Sequence, residues 1–189
     1  MKHYALIACY DKKTEDTFKE LWKYLYDNEI SDYGFSKSNM RPHITIADYY
    51  DIDEIEMVTD LKKYYSEVPA ISINFNQVAT FIGSTTIYFA PTMSEELTDF
   101  HKNYHQNFEK FNSDECKYYL PGVWVPHNTI ASRLTNENIN LIFEYCRENY
   151  KIIEAKIESI SLIEVIANDE GVIVESKHIC EIELESKKF

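Results

Sequence analysis

The chain has 189 residues, 44% of them hydrophobic and 14% aromatic, so it can bury the core of one large domain. With 19 basic and 32 acidic residues, its formal net charge is −13, which argues against long nucleic acid bound along an extended groove. A small anion or a short RNA end in a local pocket is compatible with this charge. The first apolar run spans only about seven residues, so we expect no membrane span and a cytoplasmic protein.

The first half of the chain predicts strands and helices in alternation. Residues 2–10 read KHYALIACY, a compact apolar run that is typical of a buried strand. Residues 14–27 carry apolar side chains at helical spacing behind Thr14, which we predict to be the helix N-cap. The segment PHITIADY then predicts a strand, residues 51–68 predict a helix, and residues 70–82 predict a strand with alternating apolar and polar side chains.

The same order of elements recurs after a turn at Gly83. Residues 85–92 predict a strand and residues 93–111 predict a helix, which a polar loop follows. The segment WVPHNTIA predicts the next strand, and residues 135–150 predict the next helix. The C-terminal segment predicts a β-hairpin that turns at residues 168–171.

The recurring order predicts an internal duplication. We expect a single domain over residues 1–189 that consists of pseudo-repeat halves of about 1–83 and 84–189. The terminal hairpin belongs to the second half in chain order, but it is free to cross between the two lobes.

One six-residue phrase occurs once in each half. PHITIA at residues 42–47 and PHNTIA at residues 126–131 differ only at Ile44 and Asn128, and their histidines lie 84 positions apart. Proline has no backbone N–H and a fixed φ, so it suits the first residue of a strand. Each phrase therefore predicts a strand that starts at its histidine.

Strand geometry places the histidine and the threonine of each phrase on one face, about 6.5 Å apart. His43 shares a face with Thr45 in this way, and His127 shares a face with Thr129. If a two-fold axis relates the halves, these four side chains can meet across a cleft. Two imidazoles can act as base and acid on opposite sides of a phosphodiester, while hydroxyls donate to its non-bridging oxygens. This scheme requires no metal.

The doubled H-x-T-x motif, HITI at residues 43–46 and HNTI at residues 127–130, resembles the two-histidine phosphoesterase superfamily, which includes 2′-5′ RNA ligases and cyclic nucleotide phosphodiesterases. The resemblance implies an α+β fold in which two pseudo-symmetric antiparallel-sheet lobes with outer helices flank a central cleft. It implies acid/base catalysis by the two histidines and phosphate binding by the two threonines. Asn128 departs from the aliphatic residue expected there, so either its amide bonds a neighbour or the back of the strand is less apolar.

The resemblance also implies a reaction class. It implies a metal-independent phosphodiesterase without a cofactor that acts on a 2′,3′-cyclic phosphate or a 2′-5′ linked nucleotide or RNA end, with reversible 2′-5′ ligation as a related activity. We expect a monomer with a small nucleotide or short RNA end as its substrate. Two alternatives stay open. One is a non-catalytic module that binds nucleotides or RNA ends, and the other is a metallohydrolase, which chelators would inhibit.

Other side chains are candidates for roles in this or another site. Arg41 and Arg133 could contact an anionic substrate, and Trp124 could stack on a base. His101 and His105 lie four apart on a predicted helix and could share a metal. Because HKNYH lacks the glutamate of the zinc-protease motif and a third ligand, we interpret these two histidines as a surface pair.

Overall fold

The structure, a computed structural model, describes residues 2–35, 39–112, 114–168 and 173–186, with the backbone alone for residues 114–116. Residues 169–171 of the predicted hairpin turn lie outside this set. None of the helices in the described part of the chain is long and apolar enough to cross a membrane.

The elements alternate along the chain in the predicted order. Their bounds are β1 His3–Tyr10, α1 Lys12–Asp27, β2 His43–Tyr50, α2 Glu54–Tyr65, β3 Ile71–Thr80, β4 Ile87–Pro91, α3 Glu95–Asn107, β5 Asn128–Ala131, α4 Asn136–Asn149, β6 Ile153–Ala167 and β7 Ile173–Glu183. Two short 3-10 segments, Glu109–Phe111 and Asp114–Tyr119, lie between α3 and β5.

The first helix begins two residues earlier than predicted, and Thr14 is not its cap. Asp11 caps α1, because its carboxylate accepts hydrogen bonds from the backbone N–H of Thr14 at 2.9 Å and from the Thr14 hydroxyl at 2.7 Å. The same carboxylate accepts a bond from the backbone N–H of Lys156 at 2.8 Å, which ties the start of α1 to β6. The two oxygens of one carboxylate therefore serve both the N-terminus of α1 and the backbone of β6.

The strands within the described ranges form one antiparallel sheet. Its order is β2-β1-β6-β3-β4-β5, and β7 pairs with β6. The 15-residue strand β6 joins the two lobes: residues up to Ile157 pair with β3, and the residues from there on pair with β1. The predicted α+β class with antiparallel sheets is confirmed, and the hydrogen bonding of the two lobes is continuous through β6.

The two faces of the sheet differ in what covers them. On β1, Leu6 and Ala8 belong to the main core and pack with buried side chains of the helices, such as Phe18 of α1. The alternate residues Ile7 and Cys9 belong to a smaller buried cluster that is completed by Ala5, Ile163 and the partly buried Val165. This second face is the floor of the cleft described below.

His101 and His105 are buried, not a surface pair as predicted. Their exposed fractions are 3% and 5%, because the face of α3 that carries them packs against other backbone segments. His101 Nε2 donates to the carbonyl oxygen of Tyr119 at 2.8 Å, and His105 Nε2 donates to the carbonyl oxygen of Ile46 at 3.1 Å. The two rings therefore satisfy backbone carbonyl groups from distant parts of the chain.

The buried ring of His101 predicts an acid-sensitive fold. Burial, with a smaller contribution from His105, lowers the pKa of His101 to about 4. Between this pKa and the ordinary value near 6.5, the unfolded chain binds more protons than the folded protein, so stability falls as pH falls. We expect His101 to account for a loss of about 3 kcal/mol in the free energy of unfolding between pH 7 and pH 4.

Urea unfolding at several pH values measures this contribution. The variant His101→Gln should lose less stability than the wild type as the pH falls through this window. The control is His178→Gln, since the His178 side chain is 57% exposed. Parallel pH curves for the wild type and His101→Gln would refute the assignment.

Candidate active site

The two end strands of the sheet path meet in space. Strands β2 and β5 are not hydrogen-bonded neighbours, yet Cα atoms of the two strands approach within 8 Å. The sheet therefore curls, and a cleft lies between its ends. β2 begins at His43 as predicted, whereas β5 begins at Asn128, one residue after His127, because Asn128 makes the last ladder pair with β4.

One cavity of about 170 Å³ lies in this cleft. Its lining includes all four motif side chains: His43, Thr45, His127 and Thr129. Three other cavities are larger, at about 470, 640 and 660 Å³, but none of them is lined by a motif histidine or threonine. The small cavity is therefore the place where the four predicted side chains come together.

Both motif histidines are held in the same orientation. His43 Nδ1 donates to the carbonyl oxygen of Arg41 at 2.6 Å, and His127 Nδ1 donates to that of Val125 at 2.7 Å. Because a carbonyl oxygen only accepts, the hydrogen of each neutral ring is on Nδ1, and Nε2 keeps its lone pair for proton transfer. In each case the acceptor lies two residues earlier, across the motif proline.

The electrostatics of the cavity keep both rings predominantly neutral. Burial lowers the pKa of His43 and of His127 below the ordinary histidine value, while the Nδ1 hydrogen bonds oppose this effect. A charge on His127 lowers the pKa of His43 further. Because a charge on one imidazole disfavours a charge on the other, the pair takes up its two protons in separate steps. The state with one proton on the pair has one acid and one base.

A β-bulge follows the threonine in each motif strand. The ladder of β2 with β1 skips Ile46, and the ladder of β5 with β4 skips Ile130. A bulge shifts the alternation of the strand by one residue. Consequently Asp48 lines the same cavity as His43, although strict alternation would place it on the opposite face.

A tyrosine from each half reaches the threonine of the other half. The hydroxyl of Tyr33 lies close to the side chain of Thr129, and that of Tyr119 lies close to the side chain of Thr45. Both tyrosines line the cavity, and burial raises the pKa of each phenol to about 12, so both remain protonated. Neither tyrosine was predicted from the sequence, and the only available signal was their location ten and eight positions before a motif histidine.

The two arginines with predicted substrate contacts lie elsewhere. The Arg41 guanidinium bonds to the carboxylate of Glu15 and, at 2.5 Å, to that of Glu181, and it is not among the residues that line the cavity. Arg133 lines a different cavity, together with Asp27. Arg41 contributes its backbone carbonyl group to the site, while carboxylates balance its charge.

Trp124 and Asn128 make hydrogen bonds within the protein that hold the motif strands in place. Trp124 Nε1 donates to the carbonyl oxygen of Thr45 at 2.9 Å, and its ring stacks on His101 at 3.8 Å, so it packs within the protein. Asn128 is 1% exposed and accepts a hydrogen bond from the Tyr10 hydroxyl at 3.3 Å, which confirms the expectation that its amide bonds a neighbour. Among the residues described, no group of three or more His, Cys, Asp or Glu side chains is placed to hold a metal ion.

This chain is similar to a known family and to several named proteins. A sequence model of the 2′-5′ RNA ligase superfamily matches residues 13–169. A protein of Staphylococcus haemolyticus (strain JCSC1435), named "Putative phosphoesterase", is 27% identical over 135 residues, which is 69% of this chain and 76% of that protein. A protein of the same description from Staphylococcus aureus (strain JH1) is 24% identical over 115 residues, or 59% of this chain and 64% of that protein.

Solved structures share the fold at low sequence identity. Escherichia coli LigT complexed with 3′-AMP superposes with a TM-score of 0.59 at 9% identity, over 97% of this chain and 98% of that one. The Thermus thermophilus protein TT0787 superposes with a TM-score of 0.63 at 11% identity, over the whole length of both chains. At such identities the similarity shows the arrangement of sheet and helices alone.

Proposed function

The chain belongs to the 2′-5′ RNA ligase superfamily, and from this premise we propose that it is a metal-independent phosphodiesterase acting at a nucleotide or RNA end. Membership in the family supports phosphoesterase activity in general. The observation that carries the finer proposal is the cavity in which two imidazoles, each with Nδ1 tied to a carbonyl oxygen, accompany two threonine hydroxyls. We propose a 2′,3′-cyclic phosphate or a 2′-5′ linkage as the scissile group.

The proposed reaction uses the two histidines as a complementary pair. One neutral imidazole takes a proton from the attacking water at Nε2, and the protonated partner gives its proton to the departing ribose oxygen. A new P–O bond forms to the water oxygen while the P–O bond to the ribose oxygen breaks, and the two rings exchange protonation states, because one gains the proton of water and the other gives its proton to the ribose oxygen. Thr45 and Thr129 donate hydrogen bonds to the non-bridging oxygens. With an RNA hydroxyl in place of water, the same pair would support 2′-5′ ligation.

A small substrate fits the size and charge of the protein. The cavity of about 170 Å³ encloses only part of a nucleotide, and the net charge of −13 repels an extended polyanion. Solved complexes of Escherichia coli LigT hold 3′-AMP and ATP, which are both small nucleotides. We propose a mononucleotide or a short RNA end as the substrate of this chain.

A substrate screen with purified protein tests the proposal. The panel contains 2′,3′-cyclic nucleotides, ADP-ribose 1″,2″-cyclic phosphate and 2′-5′ oligonucleotides, each incubated with and without EDTA. We expect turnover of at least one of these substrates in the presence of EDTA. Activity lost in EDTA and restored by a divalent metal would favour a metallohydrolase. Binding without turnover would favour a non-catalytic module.

Replacing Tyr33 or Tyr119 is expected to have a smaller effect on the same activity. Tyr33→Phe and Tyr119→Phe each remove a hydroxyl that orients a threonine, and one hydrogen bond corresponds to about a tenfold loss in kcat. Single-turnover rates at saturating substrate measure this loss. The matched control is Tyr118→Phe, because Tyr118 is 75% exposed and adjacent to Tyr119 in sequence. Wild-type rates for both site variants would show that the two hydroxyls do not act through the threonines.

A further inference from the structure

The catalytic cavity continues past the motif residues to an end formed by Asp48 and His3. In the ladder of β1 with β2, Thr45 pairs with Ile7 and Asp48 pairs with Ala5. Asp48 is therefore two residues further along β1 than Thr45, a distance of about 7 Å at the rise of a strand. This separation is comparable with the distance from a phosphate to the far side of the nucleoside that carries it.

The described part of the chain leaves one oxygen of the Asp48 carboxylate without a hydrogen-bond donor. Its Oδ2 lies 3.4 Å from His3 Nε2, and the side chain is only 14% exposed. Its Oδ1 is buried and has no hydrogen-bond partner in the parts of the chain that are described. A buried carboxylate oxygen is costly without a donor. The position of this oxygen in the wall of a substrate cavity points to a donor on the ligand.

The surroundings of Asp48 restrict which ligand group can approach. His3 stacks on Tyr50 with ring centroids 4.5 Å apart and planes 7° apart, which fixes the imidazole beside the carboxylate. Ala5 and Ile163 provide a small aliphatic wall at the same end of the cavity. A second phosphate would face a carboxylate there, and like charges repel. A flat, uncharged group with an N–H or O–H donor fits both the wall and the acceptor.

We propose that Asp48 recognises the nucleoside of the substrate, with Oδ1 accepting a hydrogen bond from an N–H or O–H group of the nucleoside bonded to the reacting phosphate. This inference rests on the proposed function, because the motif side chains must hold that phosphate. The two motifs are not equivalent in this respect. Ser132 occupies the position of Asp48 in the second motif, but it lines a different cavity. Catalysis would then use matched side chains, and recognition would come from one half.

Substrates with and without a nucleoside separate recognition from catalysis. We expect Asp48→Ala to lower kcat/KM about tenfold to a hundredfold on nucleoside 2′,3′-cyclic phosphates, chiefly through KM, since it removes a charge-assisted hydrogen bond. On ethylene cyclic phosphate, which has no nucleoside, we expect less than about a twofold change. Asp48→Leu keeps the branched shape of the side chain but accepts no hydrogen bond, and it serves if Asp48→Ala fails to fold. Ser132→Ala is the control for the second motif.

Comparison of substrates with four different bases identifies which group of the nucleoside donates the hydrogen bond to Asp48. An equal loss with adenosine, guanosine, cytidine and uridine cyclic phosphates supports a ribose hydroxyl as the donor, whereas a loss that depends on the base supports a base amine or imine. An equal loss on ethylene cyclic phosphate, or no loss on any nucleoside substrate, overturns the proposal.

A binding experiment keeps this inference separate from the proposed function. If the wild type turns over neither a cyclic phosphate nor a 2′-5′ linkage, the proposed function fails, and calorimetric titration with 3′-AMP and with inorganic phosphate decides the role of Asp48. Weaker binding of 3′-AMP by Asp48→Ala, with unchanged binding of inorganic phosphate, supports the proposal. Equal affinities of the wild type and the variant for 3′-AMP overturn it.

Discussion

Replacing either His43 or His127 with alanine is expected to abolish the opening of a cyclic phosphate. A positioned acid or base contributes about 10²–10⁴-fold to such a reaction, and each variant loses one of the two. The double variant should be only slightly slower than either single variant, because both histidines act in one concerted step. Single-turnover rates at saturating substrate measure these losses directly.

The histidine experiment needs proof that the variants remain folded. Both rings line a cavity between the ends of the sheet, so their removal widens an existing space and thermal unfolding should change little. His178→Ala, with its exposed side chain, is the matched control and should keep wild-type activity. Wild-type turnover by a folded His43→Ala or His127→Ala variant would remove the acid/base assignment.

Replacing Thr45 or Thr129 with valine is expected to have the next largest effect. Valine keeps the branched shape but donates no hydrogen bond, and the loss of one donor to a developing oxyanion costs about 10²–10³ in kcat. The loss should be greater in kcat than in KM, because charge on the phosphoryl oxygens is held most tightly in the transition state. Steady-state kinetics on the best substrate of the panel gives both constants.

The matched control for the threonines is Thr80→Val. Thr80 is the exposed last residue of β3 and is not among the residues that line the cavity. Its rates should equal those of the wild type. If Thr45→Val and Thr129→Val raise KM alone, then the hydroxyls contribute to ground-state binding and not to stabilisation of the transition state.

The repeated phrase was informative because local geometry governs it. The two-residue period of a strand holds between His43 and Thr45, so their shared face could be predicted from the sequence. The same rule fails three residues later, because the bulge at Ile46 carries no glycine and has no local sequence signal. Asp48 therefore could not be placed in the cavity from the sequence.

Long-range pairing limited the other predictions. The buried ring of His101 is hydrogen-bonded to the carbonyl oxygen of Tyr119, and that of His105 is hydrogen-bonded to the carbonyl oxygen of Ile46, 59 positions away. Nothing in the spacing of the two histidines indicates such partners. The order of strands and helices was accessible because it depends on short periodic segments, whereas the continuity of the sheet through β6 depends on pairing across the whole chain.

The strand shared by both lobes also determines when the cleft can be assembled during synthesis. β1 contains residues 3–10 and β3 contains residues 71–80, yet both pair with β6, which contains residues 153–167. Until β6 has left the ribosome, one edge of β1 and one edge of β3 have no paired strand. The two motif strands then belong to parts of the sheet that are not yet joined. The distance between the two imidazoles is therefore fixed only when more than four fifths of the polypeptide has been made. A truncated product that contains both motifs but lacks β6 would carry every catalytic side chain without an assembled site.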